Sequence, residues 1–145
     1  MPAVVLYFQI HQPHRLRRFS VFETSAEYFD EAKNAEIGRK VADKCYRPAT
    51  RLLLDLARRH AGKFRFAFSV TGTAMEQLEA VAPDVVQTLR DLAQTGCCEF
   101  LGETYHHSLA SVFSREEFVD HVRSVSSKRP RVMMRPNMRF DRKSS

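Results

Sequence analysis

Apolar residues gather along the chain in three short, nearly continuous runs, at positions 4–10, 64–70 and 97–101, with stripes of helical spacing after each. The first run, from Val4 to Ile10, is rich in β-branched and aromatic residues and reads as a strand buried on both faces, ended by Pro13. A polar, arginine-bearing loop follows through Arg18, and then Ile37, Val41 and Cys45 fall at helical spacing within residues 34–46. A second helix follows at once. Pro48 suits its first turn, Leu52, Leu53, Leu54 and Leu56 supply its apolar face, and Gly62 stops it after Arg58, Arg59 and His60, whose charge suits a helix C-terminus. Phe64, Phe66, Phe68 and Val70 alternate along a second strand that closes at Thr71 and Gly72. Thr73, Ala74, Met75 and Glu76 have the spacing of a capping box, which predicts a helix start there. Pro83 opens another helix, with Val85, Val86, Leu89 and Leu92 in one stripe and Gly96 as its stop. Residues 97–101 form the third strand, a polar loop follows Gly102, and a second capping box, Ser114 to Glu117, opens a helix through Phe118, Val119 and Val122.

The order is strand, helices, strand, helices, strand, helix, an α/β pattern. Right-handed crossovers make such strands parallel, which places all three strand C-termini on one edge, where ligands bind in folds of this kind. The first strand presents His11, Gln12 and His14 there, the second Ser69, Thr71 and Thr73, and the third Glu103, Thr104, Tyr105, His106 and His107. One histidine in such a place more often caps or solvates a strand end. Three polar strand ends converging on one edge point to a site.

Composition changes this picture little. With 145 residues, 43% hydrophobic and 28% charged, the chain reads as one soluble domain able to bury a core without disulfides. Its three cysteines are odd in number and lack a C-x-x-C spacing, which fits a reducing cytosol, and no apolar run is long enough for a spanning helix or preceded by a signal-type basic region. Charge matters more. Residues 124–145 hold seven basic residues against Asp141 and so carry the whole net charge of +6, while residues 1–123 are balanced. The 124–145 segment has no periodicity and reads as a basic tail, disordered or translated out of frame, foreign to the body at 1–123.

The strand-end chemistry narrows the function. His106 and His107 are adjacent, so they point in different directions and do not clasp one metal ion; only a site of His11, one of that pair and a carboxylate would remain. There is no G-x-S-x-G elbow, no G-x-G-x-x-G and no phosphate loop, and Cys97 and Cys98 sit at a strand start, away from the site edge. No cofactor is implied. A neutral face of His, Gln, Thr and Tyr with one carboxylate suits a polyhydroxylated neutral ligand, because such groups hydrogen-bond neighbouring hydroxyls and tyrosine packs on a sugar's apolar face.

Three segments in order carry a family resemblance. The first strand with its His11-Gln12-Pro13 end, residues 64–69 with Gly72, Met75, Glu76, Gln77 and Leu78, and residues 99–110 around Glu103, His106 and His107 resemble glycoside hydrolase family 57, the retaining α-amylase and 4-α-glucanotransferase family. The resemblance runs from about residue 4 to residue 123. It implies a partial (β/α)7-type barrel, of which this chain carries the first three β/α units, and an α-glucan or maltooligosaccharide substrate. Nucleic acid and membrane are not implied as partners. It also implies substrate contact at His11 and Gln12 from the first motif and at Glu103, His106 and His107 from the second; for Glu103 the alternative is an orienting partner to a histidine. In that family the nucleophilic glutamate follows the fourth strand and the aspartate general acid comes later. Where that strand should stand, residues 132–140 hold no carboxylate, so neither catalytic position transfers. The chain then reads as the amino-terminal fragment of a cytoplasmic α-glucan-active enzyme, cut short by truncation or a frame shift near Arg123 and inactive alone. Two rivals stand beside it: a metal-dependent deacetylase of the related polysaccharide-deacetylase type, and a non-catalytic protein whose basic tail binds anionic nucleic acid or lipid.

Overall fold

A computed structural model describes residues 4–20, 22–60 and 62–128. Three parallel strands, β1 (Tyr7–Ile10), β2 (Phe66–Val70) and β3 (Cys98–Leu101), form one sheet in that order, as the strand–helix alternation predicts. Register sets the core. Phe8 lies opposite Phe68, which lies opposite Phe100, while Ile10 meets Val70 and Phe66 meets Cys98, so these side chains share one face. Against that face pack Leu53, Leu54 and Ala57, then Ala74, Met75 and Leu78, then Val85, Val86, Leu89 and Leu92. Burial pushes the Cys98 thiol up to about 12, so it packs there as a small, protonated hydrophobe.

Because the helices pack on that face, β1 is not buried on both faces as its composition predicts. Phe8 and Ile10 turn inward, whereas Tyr7 and Gln9 are exposed on the opposite face. Tyr7 there makes a 2.6 Å hydrogen bond between its hydroxyl and Ser69 Oγ.

The two expected helices before β2 are one continuous rod. It consists of α1 (Glu31–Val41), a π-helical turn (Ala42–Tyr46) and α2 (Arg47–Arg59). Pro48 has no N–H for the preceding turn, and the wider π turn lets the rod continue past it. Arg47, just after that turn, donates from Nε (2.7 Å) and from a terminal nitrogen (2.9 Å) to the two carboxylate oxygens of Asp84. This fork ties α2 to the first turn of α4 (Pro83–Gln94), and the guanidinium's hydrogen bonds hold the Asp84 carboxyl below the usual range.

The cap of helix α3 (Gly72–Val81) stands two residues before the expected one: Thr71, not Thr73, accepts the Ala74 N–H at 3.2 Å. A four-residue helix, α5 (Ala110–Phe113), has no counterpart in the sequence reading. The second capping serine stands where expected, Ser114 Oγ accepting the Glu117 N–H at 3.2 Å, and α6 (Arg115–Lys128) runs through the buried Val125. Residues 129–145, with the segment at 132–140, lie outside the described residues. Losing that cap in Ser114→Ala is expected to cost about 1 kcal/mol, read as a lower denaturant midpoint at unchanged slope.

Candidate functional site

Parallel order brings the three strand ends together. Gln9 and His11 are two residues apart on extended backbone and therefore share a side; β2 delivers Thr71 at the N-cap of α3, and β3 leads into the loop carrying Glu103 through Ser108. The His11 ring lies on the His107 ring, centroids 4.8 Å apart and planes inclined by 37°. Behind His11, its Nδ1 is 3.1 Å from Thr71 Oγ1. Behind His107, its Nδ1 is hydrogen-bonded to Glu103 Oε1, which also accepts from Gln9 Nε2 at 2.5 Å. His107 has a φ of 54°, the left-handed region that costs a non-glycine residue on the order of 1–3 kcal/mol, and its N–H returns to the Thr104 carbonyl at 3.2 Å. Backbone strain held in place at a strand end marks a position whose side-chain direction matters.

The remaining nominated residues divide. Gln12 is buried and its amide is used within the chain: Nε2 donates to Tyr46 Oη at 2.9 Å and Oε1 accepts from Arg15 at 3.3 Å, while its backbone carbonyl accepts from Gln77 Nε2 at 2.9 Å. Burial raises the Tyr46 phenol above its ordinary value, so it stays protonated beneath the loop. His106 turns away from its neighbour, its ring edge-on to Tyr105 at 4.8 Å and to His121 at 5.1 Å, as the adjacency argument predicts. Glu103 sits behind His107 with its side chain only 9% exposed.

The sequence reading misses three contributors. Gln9 hides inside an apolar run, although its two-residue spacing from His11 is the signal that places it on the site's side. Tyr46 reaches Gln12 from the last position of the π turn, and His121 on α6 meets the Ser108 hydroxyl at 2.9 Å from 13 residues away. Neither leaves a local pattern in the chain.

Burial first, and then the neighbouring His107, lower the His11 imidazole below 6.5, with Glu103 opposing. The unfolded chain then binds a proton that folded His11 refuses, so this group's stabilising contribution is complete above 6.5 and is lost as pH falls below it towards the folded value. Denaturation midpoints at about pH 7.5 and about pH 5.5 should differ less in His11→Gln than in the wild-type chain. An equal difference in both would detach His11 from the effect.

Among the described residues, no three His, Cys, Asp or Glu side chains gather as a group that could hold a metal ion, and no helix is long and apolar enough to cross a membrane.

A parallel α/β sheet with polar groups converging at its strand ends defines the class: an α/β protein whose strand C-termini meet along one polar edge, the edge where ligands bind in folds of this kind. The chain belongs to glycosyl hydrolase family 57, whose family model matches residues 5–133. It is 36% identical over 126 residues to a Methanocaldococcus jannaschii protein named "Putative alpha-amylase", covering 82% of this chain and 26% of that one. The fold is similar to the crystal structure of a 4-alpha-glucanotransferase from Thermococcus litoralis, with a TM-score of 0.63 at 14% identity over 88% of this chain and 17% of the other. The chain thus spans about a quarter of the length of its curated relative.

Proposed function

We propose that the chain is the amino-terminal part of an α-glucan-active glycosidase or transglycosidase, its three β/α units opening an incomplete (β/α)7 barrel, and that its strand ends bind sugar hydroxyls. His11 and His107 make the direct contacts, while Gln12, Glu103 and His106 shape the loops that carry them. The observation that supports this best is the stacked, partly exposed imidazole pair at the ends of parallel strands in a family 57 chain. Imidazole nitrogens donate to or accept from hydroxyls without carrying a net charge, which suits a neutral polyol. The names of the two relatives, an amylase and a glucanotransferase, support an α-glucan as the polyol.

Titration of the chain with maltotriose tests it. His11→Ala is expected to weaken binding by about tenfold, the scale of one lost hydrogen bond with its desolvated partner. Equal affinity in wild type and variant would remove His11 from the site.

A further inference from the structure

The partners behind the two stacked rings fix their protons in opposite ways. A carboxylate oxygen and an unprotonated ring nitrogen cannot sit at hydrogen-bond distance with no proton between them, and Glu103 Oε1 lies at that distance from His107 Nδ1. Carboxylate is a weaker base than imidazole, so that proton belongs to Nδ1. The neighbouring Gln9 amide nitrogen is 3.1 Å from the same nitrogen, but one of its two N–H groups donates to Glu103 Oε1 at 2.5 Å and the other, about 120° away, points past Nδ1, which lies beside that oxygen, so the assignment is unchanged. Nε2 of neutral His107 is then a lone-pair acceptor.

At His11 the same bookkeeping runs through two buried threonines. Thr71 Oγ1 accepts the Ala74 N–H at 3.2 Å and is 3.2 Å from Thr73 Oγ1 and 3.1 Å from His11 Nδ1. Thr73 is 4% exposed, and among the described residues its hydroxyl meets only Thr71. Both hydroxyl protons find acceptors in one arrangement alone: Thr73 donates to Thr71 and Thr71 donates to His11 Nδ1. Nε2 of neutral His11 then carries the proton and is a donor. Among the described residues neither ring uses Nε2 in a hydrogen bond.

We infer that Thr71 and Glu103 are positioning residues that lock His11 and His107 in opposite tautomers, so that the stacked pair presents one N–H donor and one nitrogen acceptor to two hydroxyls of a neutral sugar. The inference rests on the sugar-binding reading for its ligand, and on this chain's geometry for its tautomers. Two rings in the same tautomer would offer two donors or two acceptors, and two donors would favour an anion. Glu103 serves this purpose from behind: its Oε2 is buried without a hydrogen-bond partner among the described residues, so the carboxylate acts through His107.

The full chain with ¹⁵N-labelled imidazoles, read by long-range ¹H–¹⁵N correlation above neutral pH, tests the assignment directly. Signals are assigned with His11→Gln and His107→Gln. The expected pattern is a protonated Nδ1 on His107 and a protonated Nε2 on His11; the same tautomer on both rings overturns the inference without any further variant. Glu103→Gln keeps an acceptor oxygen and should preserve the His107 pattern, whereas folded Glu103→Leu should switch it and weaken maltotriose binding about five- to tenfold. Added maltotriose should move both Nε2 resonances, and inorganic phosphate should move neither. Binding of maltotriose that leaves both Nε2 signals in place overturns the ligand half. Opposite tautomers with no maltotriose binding at all would instead sink the sugar reading and leave the ring assignment standing.

Discussion

Replacing Gly72 with alanine is expected to destabilise the fold by about 1–3 kcal/mol, the usual cost of overpacking, and to weaken maltotriose binding more than tenfold. A Cβ built on Gly72 lies 2.2 Å from Cδ2 and Cε2 of Tyr105 and 2.6 Å from its Cγ. No rotamer of a neighbour relieves this cheaply, because Tyr105 is only 6% exposed and its carbonyl accepts the Thr73 N–H at 3.3 Å. The ring and the loop it anchors must move together, and that loop carries Glu103 and His107. The glycine is required here by close approach, where the first turn of α3 meets the loop after β3. Gly102→Ala is the matched control on the same loop, since a Cβ there meets nothing within 4 Å, and it should leave both quantities within error. Chemical denaturation and a maltotriose titration measure the pair of variants. Equal stability of Gly72→Ala and wild type would mean that Tyr105 does not pack on Gly72.

That contact also shows where the sequence stops being informative. The alternation of Phe66, Phe68 and Val70 and the stripe from Val85 to Leu92 are legible because hydrophobic period reports directly which face is covered. Parallel pairing follows from the helices between strands, and parallel pairing alone places His11, Thr71 and His107 at one edge. What each residue does there depends on packing between segments far apart in the chain. Gln12 looks like a site residue, yet it is buried and its amide donates to Tyr46, 34 positions later, on a π turn that no spacing announces. Glu103 reads from the sequence either as a sugar contact or as an orienting partner to a histidine, and only its enclosure by Gln9, 94 positions earlier, and by the turned-back His107 favours the second. The α3 cap moved for a similar reason. Both threonines can cap, and Thr71 does so because its backbone is extended, with φ −71° and ψ 155°, at the point where β2 ends.

The burial of Glu103 bears directly on chemistry: the isolated 145-residue chain is expected to hydrolyse or transfer no α-glucan above background. Retaining glycosidases need two carboxyl groups about 5–5.5 Å apart across the scissile bond, one to attack the anomeric carbon and one to protonate the leaving oxygen. Among the described residues Glu103 is the carboxylate at the strand-end edge, and both of its oxygens are withdrawn: Oε1 accepts from Gln9 and His107, and Oε2 is buried. It can neither reach an anomeric carbon nor pass a proton to a glycosidic oxygen while it holds His107. The other acids of the body lie elsewhere; Asp84 is bound by Arg47 in the first turn of α4, and Glu99 stands near the start of β3, at the opposite end of the strand from the site. On the proposed reading sugar binding and sugar cleavage therefore separate, since among the described residues no second carboxyl stands beside the imidazole pair at the strand ends. Reducing-sugar release and chain-length redistribution of maltooligosaccharides, assayed on chain purified to homogeneity, measure the two reactions. Turnover that survives purification and disappears in Glu103→Gln would overturn the argument, because it would require that carboxylate to leave His107 and act on the sugar itself.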